Sequence, residues 1–166
     1  MKDWIDAASF LGSKMVRVSG MRKAYEEAVK SVILLNEYAK EKGVILLVEN
    51  HFDLYSDPDI HVNIAKDVAD PNMGLIADFG NYPVETNQFE ALEKIAPYTK
   101  LVSAKTLAFD MESYTHTSFD FPRCVRIMED AGYKGIYSLE QWGPRYIQYD
   151  YEKIVDWMIK NVKSNI

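Results

Sequence analysis

Val44-Ile45-Leu46-Leu47-Val48 runs without a break into Glu49-Asn50-His51. Five consecutive apolar residues, three of them β-branched, suit a strand covered on both faces, the condition of strands in parallel sheets. The abrupt polar end puts a carboxylate, an amide and an imidazole where the strand gives way to its loop. Upstream, Arg22 to Lys42 spaces Ala28, Val29, Val32, Leu35 and Tyr38 along one helical face, and Gly43 follows as a stop. The unit is therefore helix, buried strand, polar strand end.

The same unit recurs along the chain. Asp57 and Pro58 are the N-cap and first residue of a helix to about Val68, followed by a strand from Met73 to Ala77. Asn87 with Glu90 opens a helix that ends near Pro97, and Lys100 to Ala104 is the next strand. Asp120 to Ala131 is helical, Gly132 stops it, Gly135 to Leu139 is the last strand, and Tyr151 to Val162 closes the chain as a helix. At the front, a helix from Asp3 to Leu11 ends at Gly12 and precedes a short strand, Lys14 to Val18. Repeated strand and helix units with short connections specify an α/β fold with a parallel sheet and right-handed crossovers, either a barrel or a doubly wound sheet. No composition change or linker divides the 166 residues, so one domain is expected. A closed eight-stranded barrel normally needs about 250 residues, so a barrel reading implies an incomplete one.

A net charge of −6 and a pI near 5.1 disfavour a phosphate-binding surface of the kind nucleic acids require, which leaves small molecules as the expected partners. Cys124 is alone and cannot form an internal disulfide, and it falls in a helical apolar pattern that suits a buried, inert thiol. No apolar run approaches the roughly 20 residues that span a bilayer, and the first residues lack the apolar core of a signal peptide. No membrane association and a cytoplasmic location are expected.

Polar side chains stand where each apolar run stops: Arg17 and Ser19, Glu49 with Asn50 and His51, Asp78 with Asn81, Ser103 with Lys105, and Glu140 with Gln141. The C-terminal edge of a parallel sheet is where ligands bind, because strand ends and loops converge there on a rigid scaffold. Three carboxylates brought together repel one another unless a cation or proton compensates, which points to a divalent metal held by Glu49, Asp78 and Glu140. Oxygen ligation suits Mn²⁺ or Mg²⁺, with Zn²⁺ or Co²⁺ as alternatives. Such an ion stabilises the enediolate formed when a proton leaves the carbon beside a carbonyl, and Glu49 and Glu140 can exchange that proton as acid and base.

"LLVENH" (Leu46 to His51), "GLIADFGN" (Gly74 to Asn81), "LVSAK" (Leu101 to Lys105) and "AGYKGIYSLEQW" (Ala131 to Trp142), in that order, resemble the xylose-isomerase-like TIM barrel superfamily of sugar phosphate isomerases and epimerases, inosose dehydratases and hydroxypyruvate isomerases. The resemblance implies that the five strands are the fourth to eighth of a (β/α) barrel whose first three βα units are absent, with a long loop from Phe109 to Phe119 after the seventh. It also implies that Glu49, Asp78 and Glu140 fall on metal-ligand positions, and that the two glutamates are the acid/base pair. Ser103 departs from the pattern, since the family carries histidine there and a serine hydroxyl is a weak metal ligand. Lys105 keeps the family's lysine and is expected to contact a substrate oxygen as a catalytic group.

Arg17, His51, Asn81 and Trp142 complete the expected substrate-binding set, and Trp142 and Tyr82 suit an aromatic wall against a sugar face. Each has a plain structural reading beside the functional one: an ion pair for Arg17, a loop hydrogen bond for His51, core packing for the two aromatics. His61 and His116 are read as surface residues of a helix and a polar loop. The expected function is a divalent-metal-dependent isomerase or epimerase acting on a sugar, sugar phosphate or polyol, with dehydration or aldol-type cleavage as variants of the same chemistry. The alternative is a noncatalytic carbohydrate-binding or scaffold remnant; a DNA repair enzyme of the same superfamily ranks third, for an acidic chain. Strand edges left open by missing units invite self-association or a further N-terminal segment.

Overall fold

The structure is a computed structural model that describes residues 1–19, 24–52, 54–144 and 147–166. Its elements in order are α1 (Lys2–Phe10), β1 (Met15–Val18), α2 (Tyr25–Glu41), β2 (Ile45–Glu49), α3 (Pro58–Val68), β3 (Met73–Asp78), α4 (Gln88–Ile95), β4 (Thr99–Thr106), α5 (Phe121–Asp130), β5 (Ile136–Gln141) and α6 (Tyr151–Lys163). Single 3₁₀ turns precede α3 (Leu54–Ser56) and follow α4 (Ala96–Tyr98).

Local chemistry accounts for most boundaries. The Asp57 carboxylate accepts from the backbone N–H of Asp59 and Ile60, and Pro58 occupies the first turn, where its missing donor costs nothing. Asn87, Asp120 and Asp150 cap α4, α5 and α6 in the same way. Gly43 and Gly132, at φ +69° and +82°, turn the chain out of α2 and α5 in a conformation that a Cβ would strain.

All strand pairs are parallel, and the sheet order β1-β2-β3-β4-β5 follows the sequence, with helices in the crossovers. The strand order fits a barrel wall and not a doubly wound sheet, whose order reverses at a switch point. Every residue of β3 is buried, and Leu46, Val48, Leu75, Ala77, Val102 and Ala104 join helical residues such as Val32, Ile64, Leu92 and Met128 in one core. The outer edges of β1 and β5 are unpaired among the described residues, and Ile136 on β5 is 62% exposed.

Differences from the sequence reading concern the strand ends. Glu49 and Asp78 lie inside β2 and β3, β4 continues to Thr106, and β5 continues to Gln141. The ladder carries on past the apolar run because main-chain pairing is indifferent to side chain: Asp78 aligns with Ser103, and Lys105 with Glu140. Arg22, the expected start of the second helix, lies outside the described residues.

Candidate functional site at the C-terminal edge of the sheet

The C-terminal ends of β1, β2, β4 and β5 surround a cavity of about 290 Å³ lined by Arg17, Glu49, His51, Phe52, Lys105, Glu140 and Trp142. Glu49 is buried, and Arg17 Nη1 lies 2.9 Å from its Oε2 in an ion pair. Burial pushes the Glu49 acid above the usual carboxylate range, the Arg17 charge opposes that push, and repulsion from Glu140 adds to it.

Asp78 is fully buried and is not among the residues that line this cavity. Its Oδ1 accepts from the Gly80 N–H at 2.8 Å, while Oδ2 has no hydrogen-bond partner among the described residues. Burial raises its pKa to about 7 even though Lys105 pulls the other way. Asn50, also fully buried, fixes where Asp78 sits: its amide donates to the Asp78 carbonyl at 3.0 Å and accepts from the Asp78 N–H at 2.9 Å.

Lys105 is the centre of the polar network. Its Nζ donates to Asn81 Oδ1 at 2.9 Å, lies 3.0 Å from Glu140 Oε1, and sits 5.5 Å from the centroid of the Trp142 ring. The Ser103 hydroxyl donates to the other Glu140 oxygen at 3.2 Å and lies close enough to Asp78 to oppose the rise in its pKa. Two cations and one hydroxyl thus compensate the carboxylates that were expected to need a metal. Among the described residues, no three carboxylate, imidazole or thiolate groups are drawn together closely enough to hold an ion between them. The donor set still suits a hard cation, because the buried Asp78 Oδ2 is left without a donor, a costly arrangement unless the acid is protonated or a cation arrives.

Arg17, Glu49, His51, Lys105, Glu140 and Trp142 come together in the cavity wall. Asp78 and Asn81 do not line it, but both interact with Lys105, which does. Tyr82 does not face Trp142; it packs against the main core and lines a separate cavity. The surface readings of two histidines are corrected. His61 is fully buried, its Nε2 3.0 Å from the Val48 carbonyl, and burial lowers its pKa to about 4. His116 is partly buried, with Phe109, Phe119, Phe121 and Trp157 around its ring. The structural role of Asn50 was missed, although an amide directly after the strand-end glutamate is its sequence signal. Phe52, 70% exposed at the cavity rim with φ +40°, gave no signal.

No curated protein matches the chain. Solved structures do. A xylose isomerase-like TIM barrel protein from Mycobacterium smegmatis in complex with magnesium is 18% identical at TM-score 0.68, with 99% of this chain and 66% of that one covered. An L-ribulose 3-epimerase is 14% identical at TM-score 0.77, over 99% and 66% of the two chains. The IolI protein with a bound zinc atom is 18% identical at TM-score 0.66, over 99% and 65%. At these identities the likeness is one of fold, and the chain spans about two thirds of the length of these solved chains. Its five parallel strands are a curled part of a TIM-type barrel. The xylose isomerase-like TIM barrel family matches residues 1–161, all but the last five of the 166, and the chain belongs to that family.

Proposed function

We propose that this chain is a single domain carrying the proton-transfer centre of a divalent-metal-dependent isomerase or epimerase acting on a sugar or polyol. The observation that carries the reading is that Glu49 and Glu140, from strands β2 and β5 with two strands between them, line one cavity together with Lys105 and Trp142. Fold relatives that include an L-ribulose 3-epimerase and structures holding magnesium or zinc support it.

Glu49, Asp78 and Glu140 stand too far apart here to enclose an ion and would have to draw together to hold one, with Ser103 as a weak fourth group. When bound, the ion supplies polarisation of a carbonyl and its neighbouring hydroxyl. The chain's own groups do the rest. Glu49, whose proton affinity is raised by burial, takes the proton from the carbon beside the carbonyl, and the electron pair of that C–H bond moves into the enediolate. Glu140, entering the step in its protonated form, gives its proton to the same carbon from the other face or to its neighbour and is left as the carboxylate while Glu49 keeps the abstracted proton, giving epimerisation or isomerisation. Lys105 donates to a substrate oxygen, Arg17 and His51 contact hydroxyls, and Asn81 holds Lys105 in place. Trp142, 56% exposed, offers its ring to the apolar face of a sugar.

Titration calorimetry with Mn²⁺, Mg²⁺, Co²⁺ and Zn²⁺ on the native chain, Glu49→Gln and Glu140→Gln tests the metal, and solvent deuterium exchange into a panel of sugars tests the chemistry. Binding lost in both variants and exchange into a sugar are expected. A second reading, a noncatalytic carbohydrate-binding remnant, is favoured by one observation: Arg17 and Lys105 already neutralise the two glutamates. It predicts sugar binding with neither metal binding nor exchange.

A further inference from the structure

The loops after β3 and β4 enclose a second cavity, also of about 290 Å³, beside the carboxylate cavity. The two adjoin across one side chain. Gly80 lines the second cavity, and a Cβ built on it would stand 3.1 Å from the stem of Lys105, a residue that lines the first and whose ammonium pairs there with Glu140. Among the described residues no charged side chain lines the second cavity. Its walls are apolar surfaces of Leu107, Phe119 and Tyr82 interleaved with the polar groups of Thr86, Gln88 and Ser118.

Two of those polar groups are held in position. The Gln88 amide nitrogen donates to the Phe79 carbonyl and to Cys124 Sγ, which fixes the amide and leaves its oxygen to accept. Ser118 Oγ accepts from the Ala108 N–H at 3.1 Å and keeps its own proton to donate. His116 pins the walls themselves: its Nε2 accepts from the Leu107 N–H at 3.0 Å, so Nδ1 carries the proton and donates to the Phe119 carbonyl at 3.1 Å. Its ring packs edge to face on Phe119 at 4.4 Å. The cavity is preformed, and a ligand entering it orders little.

We propose that this cavity is a binding subsite for a second, neutral ring of the substrate, so that the chain acts on a glycoside or disaccharide and not on a sugar phosphate. The inference rests on the proposed function. Apolar side chains beside hydroxyl and amide groups match the mixed C–H and O–H surface of a sugar, whereas a phosphate requires cationic donors, which none of the described lining residues supplies. The volume suits one ring, lying just below the roughly 300 Å³ at which drug-sized sites begin.

The test is calorimetric titration of the full chain with neutral monosaccharides, with the disaccharides that extend each by one hexose, and with the corresponding sugar phosphates. Disaccharides are expected to bind about tenfold or more tighter than their monosaccharides. Thr86→Trp and Ser118→Trp, on different walls, are each expected to abolish that gain while circular dichroism stays native. Monosaccharide binding without a gain, a gain that survives both variants, or tighter binding of the phosphate overturns this inference and leaves the proposed function standing. Absence of any sugar binding overturns both.

Discussion

Lys105 Nζ lies 3.0 Å from Glu140 Oε1, yet the lysine side chain is 5% exposed and the glutamate 38%. The ammonium is therefore the fixed partner and the carboxylate the one that can swing toward a ligand. Lys105→Met leaves the Asn81 carbonyl and one Glu140 oxygen without their donor, and is expected to cost about 1–3 kcal/mol in urea unfolding. In a double-mutant cycle with Glu140→Gln, a coupling energy near zero would show that the pair does not form in solution.

Asp78 has a folded pKa of about 7 against an ordinary value of 3.8. Between these values the folded state holds a proton that the unfolded state has released, so stability of the metal-free protein falls as pH rises through that window, by about 4 kcal/mol in all. Asp78→Asn removes this slope, making the chelated variant more stable than the native chain above pH 7. Unfolding by urea at pH 5 and pH 8 checks it; equal slopes in the two proteins would refute the assignment.

His61 works in the opposite sense. Its folded pKa of about 4 lies below the ordinary 6.5, so its stabilising contribution is complete above pH 6.5 and is lost as pH falls toward 4, about 3 kcal/mol across the window. His61→Leu should be less stable at pH 7.5, because the Val48 carbonyl loses its donor, but flatter between pH 6.5 and 4. Thermal melts across that range decide the matter.

Asn50→Ala strands the buried N–H and C=O of Asp78 together and is expected to cost about 2–4 kcal/mol. A loss below about 0.5 kcal/mol by the same urea titration would mean that the two strand ends are held by something else.

The open edges of β1 and β5 carry the expectation of self-association into a measurement. Sedimentation of the 166-residue chain should show a dimer or larger species whose population rises with concentration; a strict monomer at every concentration contradicts it.

Elements decided by neighbours in sequence were legible there. Asp57 and Pro58 set the start of α3 to the residue, because a cap and its donors lie within three positions. The strand-end carboxylates were legible too, since apolar runs in a parallel sheet must stop at the edge where ligands bind. The partners of those carboxylates were not. Nothing local says that Arg17 reaches across to Glu49, or that the imidazole of His61 finds the Val48 carbonyl 13 residues away. A histidine on a helix reads as solvated until its acceptor is known, and that acceptor is supplied by tertiary packing. Trp142 and Tyr82 looked equivalent as aromatics after a site residue, but the loop after β3 turns Tyr82 against the core, while Trp142 follows the edge strand.

Asn50 grips Asp78 by its main chain and leaves the carboxyl untouched. The carboxyl can therefore gain a proton, lose it or exchange it for another ligand without disturbing the seam between β2 and β3. Scaffold and titratable group are separately mutable at this position: the acid can be exchanged with the main chain still gripped, while the amide beside it cannot.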